Sequence, residues 1–248
     1  MRTICMIISA LVLVACGQPQ QKSHLDLTTT FGVLLWEDGI IPYSIEGFTR
    51  IRAQHITDAA AEISNRTNVS FIPVVEVTAT TLRILPAKTG CRASTIGRGY
   101  TNPTISLSSS CKKASIMHEM LHILGFAHEH VYPKAVQVRD HLVQSDIQLK
   151  YNFLDPSARE VTDYDAESIM HYSSQANSIC DNLDDEKWDT LDEGSKPKPS
   201  CQVFNWREIP QCPKQCATIL SAEGELIESQ RTGLSKKDIE GINRVYPK

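Results

Sequence analysis

The chain has 248 residues, of which 41% are hydrophobic and 22% are charged, and its formal net charge is -4 at pH 7. This apolar content suffices for one core of ordinary size, or for two small subdomains that share a cleft. A negative balance excludes a general nucleic-acid binder, which would be basic, so no nucleic-acid partner is expected.

The N-terminus has the pattern of an export signal. Arg2 precedes an apolar run at 4–15 that is too short for a stable membrane span. Cys16 follows this run directly, as in the lipobox of bacterial lipoproteins, where the cysteine is lipidated and becomes the mature N-terminus. The alternative is a plain secretory signal in which Cys16 is incidental. We predict a signal peptide at 1–15, a lipidated polar tether at 16–33, and an exported protein that is membrane-anchored (in the outer membrane of a Gram-negative host) or secreted.

The rest of the chain, 34–248, has the hydrophobic spacing of one folded domain. Short runs rich in Val, Ile and Phe predict strands at 40–45, 69–77, 82–85 and 105–107. Helical spacing and capping residues predict helices at 48–65, 113–124 and 236–245. The expected apolar stripe of the first helix is Ile51, Ile56, Ala60 and Ile63. Ser235 and Asp238 are suited to cap the third helix. Strands and helices around one core predict an α+β fold.

Six cysteines follow the lipidation candidate: Cys91, Cys111, Cys180, Cys201, Cys212 and Cys216. An even number in an exported protein predicts disulfides, although spacing alone leaves the pairing open. Four of the six lie in a region at 171–232 that is predicted to be irregular and stapled by these bridges. A second zinc site using Cys212 and Cys216 is the alternative, and it is disfavoured because free thiolates do not persist in an oxidising compartment.

A histidine motif lies on the second predicted helix. His118 and His122 are four residues apart, so both imidazoles project from one face. Gly125 can turn the chain sharply, which brings His128 back to complete a set of three ligands. Glu119 lies beside the pair and can reach a water on the metal without being a ligand. These five fixed positions predict one Zn²⁺ per chain, with a fourth position left for water as a catalytic site requires.

A second motif lies downstream and is similar to the Met-turn of metzincins: Ser168-Ile169-Met170-His171-Tyr172. A methionine here would alone be interpreted as a core residue. Beside the zinc motif, Met170 is predicted to form a hydrophobic floor under the three imidazoles without binding the metal. Tyr172 is predicted to bring its phenol towards the metal.

Together these motifs resemble the astacin family of metzincin zinc endopeptidases. Glu129, directly after the third histidine, and the Ser-x-Met-His-Tyr form of the Met-turn carry the resemblance. Further matches lie at 39–43, 90–98 and Cys111, so that the resemblance covers most of 36–172.

The resemblance implies a two-lobed catalytic domain with a horizontal cleft. A twisted sheet, a backing helix and the zinc helix would lie above the cleft, with a largely irregular, disulfide-stapled lobe and a C-terminal helix below it. It also implies a disulfide between Cys91 and Cys111. The strand after Cys91 would be the sheet edge that pairs with an extended substrate.

The sequence departs from the family pattern at several places. Asn68 stands where astacins usually have a cysteine, so the bridge made by that cysteine is absent. The stretch at 130–140 also differs. In the family Glu129 meets a buried mature N-terminus, a contact that a lipidated Cys16 could not make. Zymogen control of the kind found in animal astacins is therefore not expected.

We predict a zinc-dependent endopeptidase that hydrolyses internal bonds of proteins or peptides. Glu119 would be the general base, and the resemblance implies that Tyr172 helps the metal to hold the oxyanion. Two alternatives from other classes stay open. One is a zinc-loaded but inactive lipoprotein that holds peptides in its cleft. The other is an anchored structural or adhesive protein that acts through the region from Cys180 to Cys216.

Overall fold

The structure, a computed structural model, describes residues 33–131, 135–145, 160–182, 188, 190–201, 203 and 205–248. The predicted signal peptide, the lipidation candidate Cys16 and all of the predicted tether except its last residue lie outside the described residues. Within the described part of the chain, no helix is both long enough and apolar enough to cross a bilayer.

A five-stranded sheet forms the upper part of the domain. Its strands are β1 (Ile40–Ile45), β2 (Ser70–Pro73), β3 (Leu82–Pro86), β4 (Cys91–Ala93) and β5 (Thr104–Leu107). Their order is β2-β1-β3-β5-β4. The first four strands in this order are parallel, with Tyr43 opposite Leu82 and Ile84 opposite Ile105. Strand β4 runs antiparallel to β5 and forms one edge of the sheet.

The predicted strands are confirmed, but the second is shorter than expected. It ends at Pro73 instead of residue 77. Proline has no N–H for a strand ladder, and Pro73 is the last residue of β2, an edge strand. The following Val75 and Val77 are exposed. Their β-branched side chains raised the strand propensity of a segment that the proline excludes from the sheet.

Two long helices pack together against the sheet. Helix α1 (Arg50–Arg66) begins after Thr49, whose Oγ1 accepts a hydrogen bond from the Arg52 amide. It buries Ile56, Ala59, Ala60 and Ile63. The prediction for Ile51 was wrong, since this side chain is 74% exposed. Five residues before Ile56 correspond to about 140° around a helix, which points Ile51 to solvent.

Helix α2 (Lys113–Ile123) carries the histidine motif and is buried along most of its length. Its C-terminal end is fixed by residues from both ends of the domain. The Trp36 indole donates to the Ile123 carbonyl at 2.9 Å, and the Tyr246 hydroxyl donates to the Leu124 carbonyl at 2.8 Å. The same apolar core includes residues of α4 (Lys236–Val245), the C-terminal helix. The α+β prediction is confirmed.

The lower part contains regular elements that the sequence did not indicate. Strands β6 (Val136–Val138) and β7 (Ile219–Ser221) form a two-stranded antiparallel sheet, and α3 (Cys212–Gln215) is a single turn. Elements this short show no measurable periodicity. The predicted irregular region at 171–232 is therefore less irregular than expected.

Three disulfides connect the six cysteines of the domain. Cys91 pairs with Cys111, as the family resemblance implies, and the others are Cys180–Cys216 and Cys201–Cys212. A second zinc site at Cys212 and Cys216 is thereby contradicted, because both sulfurs are in disulfides. The two lower bridges enclose a small apolar cluster around the buried Trp206. Such bridges indicate a protein that folds in an oxidising, extracytoplasmic compartment.

Candidate metal centre and active site

Three histidines converge beneath the sheet. Helix α2 places His118 and His122 one turn apart, with ring centroids 4.7 Å from each other. Gly125 adopts a φ of 106°, which only glycine accepts readily, and ends the helix. The reversal brings the His128 ring to 5.2 Å from His118 and 4.6 Å from His122. One nitrogen of each ring lies within 4.8 Å of the other two, and all three side chains are buried.

Backbone carbonyls orient two of these rings. His118 Nδ1 lies 2.8 Å from the Ile169 carbonyl, and His122 Nδ1 lies 2.8 Å from the Phe126 carbonyl. A carbonyl only accepts, so His122 Nδ1 carries the proton and its Nε2 is left with a free lone pair. The Ile169 carbonyl favours the same tautomer of His118, although this carbonyl also accepts from Arg231 Nη1. An imidazole held in this way is the usual arrangement at a protein-bound metal.

The environment keeps the imidazoles neutral. Burial lowers the pKa of His118 and of His128 well below the usual value, and neighbouring imidazoles add to the effect. Burial lowers the pKa of His122 to about 4. Neutral imidazole is the form that binds zinc. Three buried neutral nitrogens are also the protein ligand set of a catalytic zinc with one open position, so the residues fit this metal.

Glu119 lies between the histidines and the edge of the sheet. Its Oε2 accepts a hydrogen bond from the Ala93 amide of β4 at 2.7 Å. Burial raises its pKa to about 7, while that hydrogen bond opposes the rise. Among the described residues, the ligand atoms that lie close enough together to hold one metal ion come from the three histidines and not from this carboxylate.

The Met-turn brings Tyr172 to the same centre and places Met170 next to Glu129. Met170 is buried in the main core, and its carbonyl accepts from the Glu129 amide at 3.2 Å. The Tyr172 ring lies 4.3 Å from the His128 ring. Burial raises the pKa of Tyr172 to about 12, so its hydroxyl keeps its proton and can donate.

The sequence profile of the peptidase family Astacin matches residues 29–192. The chain belongs to the astacin family. Among curated relatives, human tolloid-like protein 1 is 31% identical over 85% of this chain, and zinc metalloproteinase nas-14 of Caenorhabditis elegans is 28% identical over 90% of it. The chain spans 22% of the first relative and 39% of the second.

A solved astacin-type structure has the same fold. The zinc-protease high choriolytic enzyme 1, a hatching enzyme of the medaka Oryzias latipes, superposes with a TM-score of 0.64 at 23% identity. The match covers 86% of this chain and 93% of the fish enzyme. Family membership and the geometry together assign the cofactor, which is zinc held by His118, His122 and His128.

Glu129, the residue that carries the family resemblance, is half-buried beside the site. Its Oε1 accepts from the Asp165 amide at 2.8 Å. Burial raises its pKa to about 7. The predicted mature N-terminus, Cys16, lies outside the described residues, so the loss of the family contact to Glu129 stays a prediction.

The astacin centre includes a fourth histidine that the sequence analysis did not single out. The fully buried His130 ring stacks 4.6 Å from Tyr172 and 5.3 Å from His128. His130 lies two positions after the third ligand, and this closeness to the motif could have marked it as part of the site.

Arg231 is a second residue of the centre that the sequence did not indicate. Its Nη1 lies 2.5 Å from the Ile169 carbonyl and 2.7 Å from His118 Nδ1. This arginine lies in a polar stretch with no recognisable pattern and comes close to the zinc ligand only through folding.

Proposed function

We propose that this astacin-family protein is a zinc endopeptidase that cleaves internal bonds of proteins or peptides. The observation that supports this most directly is the carboxylate of Glu119, held 2.7 Å from a sheet-edge amide beside three buried neutral histidines. A structural zinc site has four protein ligands and needs no such carboxylate.

Zinc, when bound here, supplies a Lewis acid that polarises a carbonyl and lowers the pKa of water from about 15.7 towards about 7. Glu119 then acts as general base. The Ala93 amide occupies its Oε2, so Oε1 accepts the proton from the attacking water and later gives it to the leaving amine. A carboxylate whose pKa is raised to about 7 is suited to both transfers.

Strand β4 provides the substrate platform. Its ladder to β5 uses one side, with Arg92 opposite Ser106 and Ala93 opposite Ile105. The other side is a sheet edge in the described part of the protein, and it lies next to Glu119. An extended peptide that adds to such an edge is recognised mainly through its backbone, which favours cleavage at internal bonds of varied sequence.

Peptides blocked at both ends test the endopeptidase proposal. The protein should cut an acetylated and amidated peptide of about a dozen residues as efficiently as the same peptide with free ends. Mass spectrometry of the fragments would give the cleaved bond. Cleavage of the free peptide alone would show an exopeptidase. Binding of both peptides without any cleavage would favour the inactive peptide-binding lipoprotein.

Tyr172 is proposed to stabilise the oxyanion. Its protonated hydroxyl donates a hydrogen bond to charge that develops only in the transition state. Replacing Tyr172 by Phe should lower kcat by about 10²–10³-fold, with KM and zinc content little changed. Steady-state kinetics with metal analysis checks this, and Tyr100→Phe is the control because that side chain is 82% exposed. An unchanged kcat would remove Tyr172 from the mechanism.

We further propose that 34–248 is the catalytic domain, attached through a tether at 16–33 to a membrane lipid on Cys16. The position of this cysteine at the end of the apolar run supports the proposal. Dual acylation of a cysteine gives stable anchoring. In a Gram-negative host, Cys16→Ser should move the protein from the membrane fraction to the soluble fraction, whereas Cys5→Ser should not. A parent protein already found in the soluble fraction would favour the plain secretory signal.

A further inference from the structure

A buried carboxylate joins the C-terminal helix to the Met-turn. Asp238, in the first turn of α4, is only 8% exposed. Its Oδ1 accepts from the Ser168 hydroxyl at 2.6 Å. Its Oδ2 accepts from the Ile169 amide at 3.0 Å and from the Ser235 amide at 2.9 Å. Three donors offset the cost of burying this carboxylate.

Only one of these contacts belongs to helix capping. The bond from the Ser235 amide, with the return bond from the Asp238 amide to Ser235 Oγ, completes the capping box. The other two donors come from the Met-turn. Ser168 Oγ also accepts from the Met170 amide at 3.0 Å, which extends the contact into the turn. A surface cap needs no such burial, so a capping function alone leaves these contacts unexplained.

The Met-turn contacts lead directly to a zinc ligand. Ile169 is fully buried, and both of its backbone polar groups are bonded. Its amide donates to Asp238, and its carbonyl accepts from His118 Nδ1 at 2.8 Å. The same carbonyl also accepts from Arg231 Nη1 at 2.5 Å, so its direction depends on this arginine and on what holds the adjacent backbone.

We propose that Asp238 is a positioning residue for the metal centre: by holding Ser168 and the Ile169 amide, it fixes the carbonyl that orients the zinc ligand His118. Residues that hold a metal ligand in place without binding the metal typically lower metal affinity by about 10–100-fold when they are removed. The proposal rests on the zinc site of the proposed function but not on peptide hydrolysis. A measurement of zinc binding therefore stands even if the protein cleaves no peptide.

Zinc affinity of the full chain, measured by competition with a chromophoric chelator, tests the proposal. Asp238→Asn keeps the size of the side chain but cannot accept at both positions, and it should weaken zinc binding by about tenfold or more. Ser235→Ala is the matched control, because it removes the other half of the capping box, together with the bond from Ser235 to Asp165, and leaves both bonds from Asp238 to the Met-turn in place. It should lower the denaturant midpoint of the zinc-free protein without changing zinc affinity.

A second variant separates positioning from folding. Ser168→Ala keeps the capping box and loses one Met-turn contact, so it should weaken zinc binding in the same direction. When Ser168→Ala is combined with Asp238→Asn, zinc affinity should fall little further, since both residues act on the metal centre through the same hydrogen bonds. The proposal is overturned if Asp238→Asn lowers the stability of the zinc-free protein as Ser235→Ala does while zinc affinity stays at the parent value. If Asp238→Asn does not fold, an unchanged zinc affinity in Ser168→Ala overturns it equally.

Discussion

Replacing Glu119 by glutamine is expected to lower kcat/KM by about 10²–10⁴-fold, the range in which a positioned general base contributes. The amide oxygen can still accept from the Ala93 amide at the same place, so the local structure should persist. It cannot take a proton from water. Zinc should stay bound, because the three histidines are retained. Kinetics on a quenched fluorescent peptide, with zinc analysis of the same sample, measures both quantities.

The control for this substitution is Glu193→Gln, which makes the same chemical change at a side chain that is 91% exposed. It should leave kcat/KM within error of the parent. A Glu119→Gln variant that kept most of its activity with zinc bound would exclude Glu119 as the base. A variant that lost its zinc would instead show that the carboxylate supports the metal site.

Replacing His122 by alanine is expected to remove both zinc and activity. The change deletes one of three buried ligands. Losing a residue that binds the metal directly should lower zinc affinity by more than the roughly 10–100-fold that is typical when a residue that only orients a ligand is lost. Zinc content after dialysis against a weak chelator should fall from one per chain to a small fraction of that. Cleavage should fall to the level of the chelator-treated parent.

His55 offers the matched control for this variant, because it is an exposed histidine on α1. His55→Ala should retain full zinc content and full activity. If His122→Ala kept the parent zinc content after the same dialysis, the assignment of this ligand would be wrong.

The zinc centre was predictable because its information is local. Two histidines one turn apart on a helix, and a glycine that tolerates φ of 106°, specify the geometry within eleven consecutive positions, 118–128. The longer strands and helices were predictable for the same reason, since each has its own hydrophobic period. Ile51 shows the limit, because its helical face depends on where α1 begins.

The residues that surround the centre are connected only by folding. Arg231 meets His118 across 113 positions, and Asp238 meets Ile169 across 69. No period or spacing in one sequence encodes such pairs. Asp238 was recognisable only as a cap, because its capping partner is three residues away, whereas its Met-turn partners are distant.

The disulfides of the lower part illustrate the same division. An even number of cysteines predicted bridges, but their pairing depends on which sulfurs the folded chain brings together. Cys201–Cys212 lies inside the loop closed by Cys180–Cys216, around Trp206. The very short strands β6 and β7 likewise exist because distant segments meet, and no strand was predicted at either position.

The most direct test is cleavage of an unfolded protein before and after zinc removal and replacement. We expect the purified chain to produce discrete fragments, the chelator-treated chain to produce none, and stoichiometric zinc to restore cleavage in the parent but not in Glu119→Gln. Cleavage that persists after complete zinc removal would contradict a metal-dependent peptidase. A fully zinc-loaded parent that binds the unfolded protein without cutting it would contradict catalysis and favour a peptide-binding function.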